Sequence, residues 1–423
     1  MFENVISQPA AVLLMDDIRG SRLPPSILFS GPSSSGKLTA ALELARSLSC
    51  KNADAPWQCE CPSCLRHKEL VHPDLLIIGS RNCYLEIQAS AEAFLRSQTQ
   101  ASRYLFIRAV RKLTLRFHPV LQEGDESRFS KAASLLADIE EALEEFSPRR
   151  PIESDSEALK KKVESLKNLA GKLEDDFLTD SIPVSQVRNA SSWVRLSPAG
   201  KRKILIVENA DRMQESARNA FLKVLEEPPE NVAFILTTNR RGAILPTILS
   251  RVRTYAFVER SIASQHEVIS RVFRDVPQEG STLDAYFNRF LPVSPEQISA
   301  AASAFLNGIL LDALDEGRRP LPALKESLRS DSAPRMDSDS GAPASILAIL
   351  NRCKPSIVWT LFLSRIARYM RDALRNDSAD AREISCFSRW TVLLRDASDS
   401  VNVYNIGAQA AIEKLREEMK AAL

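Results

Sequence analysis

Gly31-Pro32-Ser33-Ser34-Ser35-Gly36-Lys37-Leu38 decides the reading of this 423-residue chain, because it has the spacing of a phosphate-binding loop and breaks the pattern at its last position. In such a loop glycines let successive backbone N–H groups turn inward on phosphate oxygens, the lysine adds charge, and a following Ser or Thr holds Mg²⁺. Leu38 has no oxygen for a metal. Thr39 stands one residue late, and a one-residue shift turns a helical side chain by about 100°. Gly-x4-Gly-Lys alone arises by chance in roughly one chain in ten of this length, so its surroundings carry the weight. Ser26-Ile27-Leu28-Phe29-Ser30 reads as a short buried strand and Leu42-Glu43-Leu44-Ala45-Arg46 as part of a helix, the strand, loop, helix order that phosphate binding needs.

Four further apolar runs follow: Leu75 to Ile78, Ile204 to Val207, Val232 to Leu236 and Tyr255 to Phe257. They are continuous rather than alternating, which suits the interior of a parallel sheet covered by helices on both faces. The second of them should end in two acidic residues if the site hydrolyses a nucleotide, one serving Mg²⁺ and one polarising water. Here the pair is Glu208-Asn209. An asparagine cannot take a proton from water at neutral pH, so both the loop hydroxyl and the base are missing.

Lys plus Arg number 56 and Asp plus Glu 54, a net charge of +2, so any nucleic-acid contact is local rather than a property of the whole surface. The chain contains no run of 18 apolar residues, and Met1-Phe2-Glu3-Asn4 does not open a secretion signal; the expectation is a soluble, cytoplasmic protein without a membrane partner. Four of seven cysteines crowd together as Cys50, Cys59, Cys61 and Cys64, spacing that suits a tetrahedral structural Zn²⁺ site. Cys59-x-Cys61 is tighter than usual and His67 is an alternative fourth ligand; a redox role or plain burial are the competing readings. Cys83, Cys353 and Cys386 read as buried core residues.

Between Cys83 and Asp180, apolar residues recur in steps of three and four at Leu135, Ile139, Leu143 and Phe146, and again at Leu159, Val163, Leu166, Leu169, Leu173 and Phe177. The two seams predict an antiparallel helical hairpin, packed on its own domain or offered to a partner. Upstream, Arg103, Arg108, Arg111, Lys112 and Arg116 interleave with Tyr104, Phe106 and Phe117, which reads as a solvated helix face ahead of a DNA-binding one. After Glu259 the chain is helical throughout, with a capping signal at Ser294-Pro295-Glu296-Gln297, a linker over Arg329 to Ser345, and a last helical domain with Trp359, Phe362, Ile366, Tyr369 and Trp390 as core.

The helix Ala217 to Glu227 with Pro228-Pro229, the strand end Thr237-Thr238-Asn239, and Leu245-Pro246-Thr247-Ile248-Leu249-Ser250-Arg251 join Phe2 to Pro9, the cysteine cluster, His72-Pro73-Asp74 and Ser185 to Arg188 in one pattern. Together they resemble the clamp-loader ATPase family of bacterial DNA polymerase III, well over residues 1 to 83 and 182 to 258 and more faintly at Val401-Asn402-Val403-Tyr404-Asn405. The run Ile206 to Met213, lacking the Asp-Glu pair of the gamma and tau motors, looks like the delta-prime branch. The resemblance implies an α/β fold: an AAA+ P-loop parallel-sheet core (1–83 and 181–258, zinc module about 50–67), a helical insertion (84–180), a helical lid (259–328), a linker (329–345) and an all-α collar (346–423).

It further implies a non-motor subunit that assembles with gamma/tau and delta subunits, acts on the sliding clamp, and meets primed DNA through the assembled complex. The degenerate nucleotide-binding set would be Gly31, Ser35, Gly36, Lys37, Leu38, Thr39, Glu208, Asn209 and Asn239, with ATP and Mg²⁺ doubtful as ligands. The family's Ser-Arg-Cys motif, whose arginine reaches a neighbour's ATP, matches Ser250-Arg251 with Val252 in place of the cysteine. An arginine there could grip two phosphate oxygens at once; a surface salt bridge is the simpler reading. The insertion of about a hundred residues and the short Cys59-x-Cys61 spacing depart from the family. A self-sufficient gamma/tau-like ATPase, rescued by Thr39 and Glu208, and a repair or regulatory adaptor working through residues 84–180 are the rival readings.

Overall fold

The short apolar runs become strands, and their alternate residues face opposite sides of one sheet. The computed structural model describes residues 1–423 except 125, 154, 320, 331–345, 349–354, 376–378 and 403–405. The strands are β1 (Ser26–Ser30), β2 (Leu75–Gly79), β3 (Lys203–Glu208), β4 (Val232–Thr238) and β5 (Arg253–Ala256). They pair in the order β2-β3-β4-β1-β5, every pair parallel.

On one face Leu28, Leu76, Leu205, Val207, Phe234 and Leu236 pack with Val187 of α8 (Val184–Trp193) and Phe221 of α9 (Glu215–Glu226). On the other, Ile27, Phe29, Ile77, Ile204, Ile206 and Ile235 pack with Leu14 of α1 (Pro9–Arg19) and Leu42 and Leu44 of α2 (Lys37–Ser49). Both faces are covered, which is why the runs are continuous. The fifth run departs from that expectation. β5 is an edge strand on which Arg253 and Ala256 are exposed, and Phe257 lies just beyond it.

The contacts divide the chain into two compact units, Met1–Phe287 and Asn288–Leu423. In the first, the segment between β2 and α8 holds four long helices rather than a hairpin alone: α4 (Tyr84–Ser97), α5 (Gln100–Thr114), α6 (Glu126–Glu145) and α7 (Ser156–Phe177), after the small helix α3 (Pro62–Glu69) that precedes β2. They share a core in which the Phe146 ring meets Phe94 at 6.0 Å and Phe106 at 5.5 Å, both edge-on.

The basic stretch of α5 is a correction to the sequence reading. Arg103, Arg111, Lys112 and Arg116 are buried, not solvated. Arg103 donates to the carbonyls of Ser147 and Arg150, Arg108 to those of His67 and Lys68, and Arg111 to that of Glu69. Long polar side chains at helical spacing mark a face; they do not say whether water or a neighbour's carbonyls cover it.

The second unit is helical: α13 (Pro295–Asp315), α14 (Pro322–Ser330), α15 (Pro355–Arg375), α16 (Ala381–Asn402) and α17 (Ala408–Ala421), preceded in the first unit by α10 (Pro246–Leu249) and α11 (Ile262–Arg271) and by α12 (Leu283–Asn288) at the boundary. Ser294 and Gln297 form the expected capping box. Helix α13 is long and apolar enough to cross a membrane, but its apolar face is a core face, with Phe305 against Phe362 at 5.4 Å. Trp359 and Trp390 are buried and donate to the carbonyls of Ala397 and Met419. Arg329 belongs to α14 rather than to a linker, while residues 331–345, Cys353 and residues 403–405 lie outside the described ones. Cys83 and Cys386 are buried.

Candidate nucleotide site and cysteine cluster

The loop after β1 meets the carboxyl ends of β3 and β4, where ligands of open parallel sheets bind. Gly31 donates to the Thr238 carbonyl, and Asn209 donates through its backbone to Thr237 Oγ1. The structure thus gathers Gly31, Ser35, Gly36, Lys37, Glu208 and Asn209 at one end of the sheet, with the exposed Asn239 just past β4.

The side chains of Ser35, Lys37, Glu208 and Asn209 each meet a partner within the chain. Lys37 Nζ folds back onto the carbonyls of Gly31 (2.8 Å) and Pro32 (2.5 Å) and onto Ser35 Oγ (3.3 Å). Burial pushes its ammonium down to about 8, with Arg81 and Arg260 adding to the fall and Glu208 and Asp211 opposing it. Arg260 donates to the carbonyls of Ile6 and Ser34. Gly36, at φ 92°, leaves it room, since a Cβ there would sit 2.5 Å from Arg260 Nη2. Leu38 is buried in the apolar cluster of α1 and α2, and Thr39 is half-buried.

At the end of β3, Glu208 is buried and both its oxygens face arginines. Arg116 donates to Oε2, and Arg81 stands 3.5 Å from Oε1. Asn209, in the left-handed region at φ 52°, donates its side-chain amide to the Ser80 carbonyl at 2.8 Å. The carboxylate of Glu208 thus faces two guanidinium groups, and the Asn209 amide is turned to a backbone carbonyl.

Arg251 lies apart, just after α10 on the surface. It donates to Glu226 Oε1 at 2.7 Å and to the Thr247 carbonyl at 2.7 Å, beside Ser250 Oγ at 3.2 Å. The salt bridge entertained from the sequence is therefore present in this chain. Val252 is buried.

At the other end of α2 the four thiols converge. The sulfur atoms of Cys50, Cys59, Cys61 and Cys64 all lie within 4.8 Å of one another, and those of Cys50 and Cys59 are 3.6 Å apart. Four Zn–S bonds of about 2.3 Å would set sulfurs at about 3.8 Å. Cys50 caps the C-terminus of α2, and Cys61, with Pro62 after it, caps the N-terminus of α3. The backbone N–H groups of Asn52 and Cys64 point at Cys50 and Cys61 Sγ, and Arg46 lies 3.2 Å from Cys64 Sγ. Burial raises the Cys61 thiol, but N–H donors from Lys51 and Cys64 outweigh it and hold the group down to about 6. The donor set fits zinc: four sulfurs, with a guanidinium to balance a tetrathiolate. His67 is outside the set, stacked on His72 at a ring distance of 4.1 Å.

Arg46, Arg81, Arg116 and Arg260 were not singled out as site residues from the sequence. Only Arg46, three residues after Glu43 and joined to it at 2.5 Å in a buried pair, carries a local signal.

A protein-family model described as DNA polymerase III, delta subunit matches residues 7–261. The DNA polymerase III subunit delta' of Pseudomonas aeruginosa is 34% identical over 108 residues, 25% of this chain and 33% of the relative. That of Haemophilus influenzae is 37% identical over 75 residues, 18% of this chain and 23% of the relative, and the subunit gamma/tau of Mycobacterium tuberculosis is 34% identical over 82 residues, 19% and 14%. The matches thus span a third or less of those relatives. A solved DNA polymerase III gamma subunit-related protein of Thermotoga maritima aligns with 97% of this chain and 99% of its own at 15% identity and a TM-score of 0.35. The family match runs from before the loop at Gly31 to just past β5, and on it the chain belongs to the DNA polymerase III delta-subunit family of clamp-loader proteins.

Proposed function

We propose that this chain is a delta-prime-like, non-motor subunit of a replicative clamp loader, assembling with gamma/tau and delta subunits to place a sliding clamp on primed DNA. One observation carries the reading: the nucleotide fold is intact, yet Leu38 points into the core, Asn209 replaces the base and Glu208 is bound by arginines. A site in that state supports assembly rather than turnover. In this reading the cysteine cluster holds structural zinc, and Arg251 releases Glu226 to reach ATP bound by a neighbour, where a guanidinium stabilises charge on the transferring phosphoryl group.

The test is ATP hydrolysis by the purified, zinc-loaded chain alone, then with gamma/tau and delta subunits. The chain alone is expected to be silent. In the mixture, Arg251→Ala should lower turnover at that one interface by about 10³-fold with assembly unchanged. Turnover by the isolated chain that disappears in Lys37→Ala would overturn the reading, as would a mixture indifferent to Arg251.

A further inference from the structure

The insertion does more at the nucleotide site than lie beside it. Arg116 follows α5 in a short 3-10 turn, Leu115–Phe117. Its guanidinium is buried, donates to Glu208 Oε2 and is also held by the Lys112 carbonyl. The other carboxylate oxygen, Oε1, faces Arg81, whose guanidinium is tied at 2.6 Å to Glu86, and Glu86 in turn receives Lys112 at 2.5 Å. Helix α5 cannot swing away alone, because Arg108 and Arg111 fasten it to the last backbone carbonyls of α3.

A divalent cation at this strand end needs a carboxylate oxygen and a local excess of negative charge. Here one oxygen of the Glu208 carboxylate accepts from Arg116 and the other faces Arg81, so both meet cations. We propose that Arg116 is a built-in substitute for the divalent metal at Glu208, so that the helical insertion itself locks the nucleotide site in a metal-free state. This rests on the non-motor reading and adds to it a third lock, beyond the missing hydroxyl and the missing base. It also gives residues 84–180 a role within the chain: they carry the cation that closes the site.

The lock predicts an order of repair. Restoring the loop hydroxyl with Leu38→Thr should not bring metal back, because Glu208 is still occupied; adding Arg116→Met should. The measurement is Mn²⁺ bound in the presence of AMP-PNP, read by electron paramagnetic resonance on the zinc-loaded full chain. Leu38→Thr/Arg116→Met is expected to bind Mn²⁺ about 10- to 100-fold tighter than Leu38→Thr, and adding Glu208→Gln should abolish the gain. Equal Mn²⁺ affinity in the single and double variants, or a gain indifferent to Glu208→Gln, overturns the lock. If Arg116→Met loses its near-ultraviolet circular dichroism, Arg116→Gln, which keeps an amide for the Lys112 carbonyl, carries the same expectation. ATP turnover by the unmodified chain would instead defeat the non-motor reading, a separate failure.

Discussion

Helix α2 ends in two sites built from the same kind of material and left in opposite conditions. At its C-terminus Cys50 joins Cys59, Cys61 and Cys64 in a cage whose sulfurs face one another, with the N–H groups of Asn52 and Cys64 and the Arg46 guanidinium turned toward them. At its N-terminus Lys37, Ser35 and Glu208 keep the positions of a nucleotide site while their side chains are spent on carbonyls and arginines of the same chain. The residue types alone would credit both ends with ligands. What separates them is whether the chain supplies the partner itself, and a donor already satisfied inside the fold gains little by exchanging that partner for a ligand.

The largest effect should come from the open end. Cys61→Ser keeps an oxygen to cap α3 and removes one thiolate. Structural zinc in small domains is worth on the order of 10 kcal/mol of folding free energy, so the purified variant should carry no stoichiometric zinc, and trypsin should cut at Lys51 and Arg66 faster than in the unmodified chain. One zinc per chain in Cys61→Ser would break the comparison at its strong side.

The occupied end should show its consumption as stability. Glu86, half-buried, is held between Lys112 and Arg81. Burial alone would raise its pKa, but the two cations overcome it and hold the carboxyl down to about 2. Glu86→Gln should therefore cost about 3 kcal/mol at neutral pH, the loss expected when a buried pair is broken. Because the folded-state value lies below the unfolded one, this stability is complete above pH 4.5 and is lost as pH falls toward 2. Urea titrations of the two proteins should converge over that window. A constant difference would mean that packing, not charge, holds α4 and α5 together.

Legibility followed distance along the chain. The sheet was readable because each buried strand announces itself within five residues, and the cysteine cage because its ligands fall between Cys50 and Cys64. The loop's defect at Leu38 was equally local. The locks were not: Arg116 meets Glu208 across 92 residues, and Arg260 meets Ser34 across 226. Helical spacing showed that Arg103, Arg108, Arg111, Lys112 and Arg116 share a polar face, but the carbonyls of Lys68 and Glu69 and the carboxylates of Glu86 and Glu208 come from other elements. The same limit hid the edge position of β5, since pairing order is a property of the whole sheet.

The smallest effect probes how tightly the loop is spent. Lys37 is buried against its own loop carbonyls, and its ammonium is pushed down to about 8 from an ordinary value of 10.5. Below pH 8 the group is charged in both folded and unfolded chains, and the folded state carries the cost of burying that charge. Between pH 8 and 10.5 the folded chain gives up the proton first, so stability should rise over this window and then level off. Solvent screening discounts the shift to about 1–2 kcal/mol. Lys37→Met removes this titration while leaving the other lysines and tyrosines in place. The unmodified chain should thus gain stability more steeply than Lys37→Met from pH 8 to 10 in urea unfolding. Parallel slopes would mean that Lys37 is solvated and free to meet a phosphate, and the N-terminal end of α2 would then be as open as its C-terminal end.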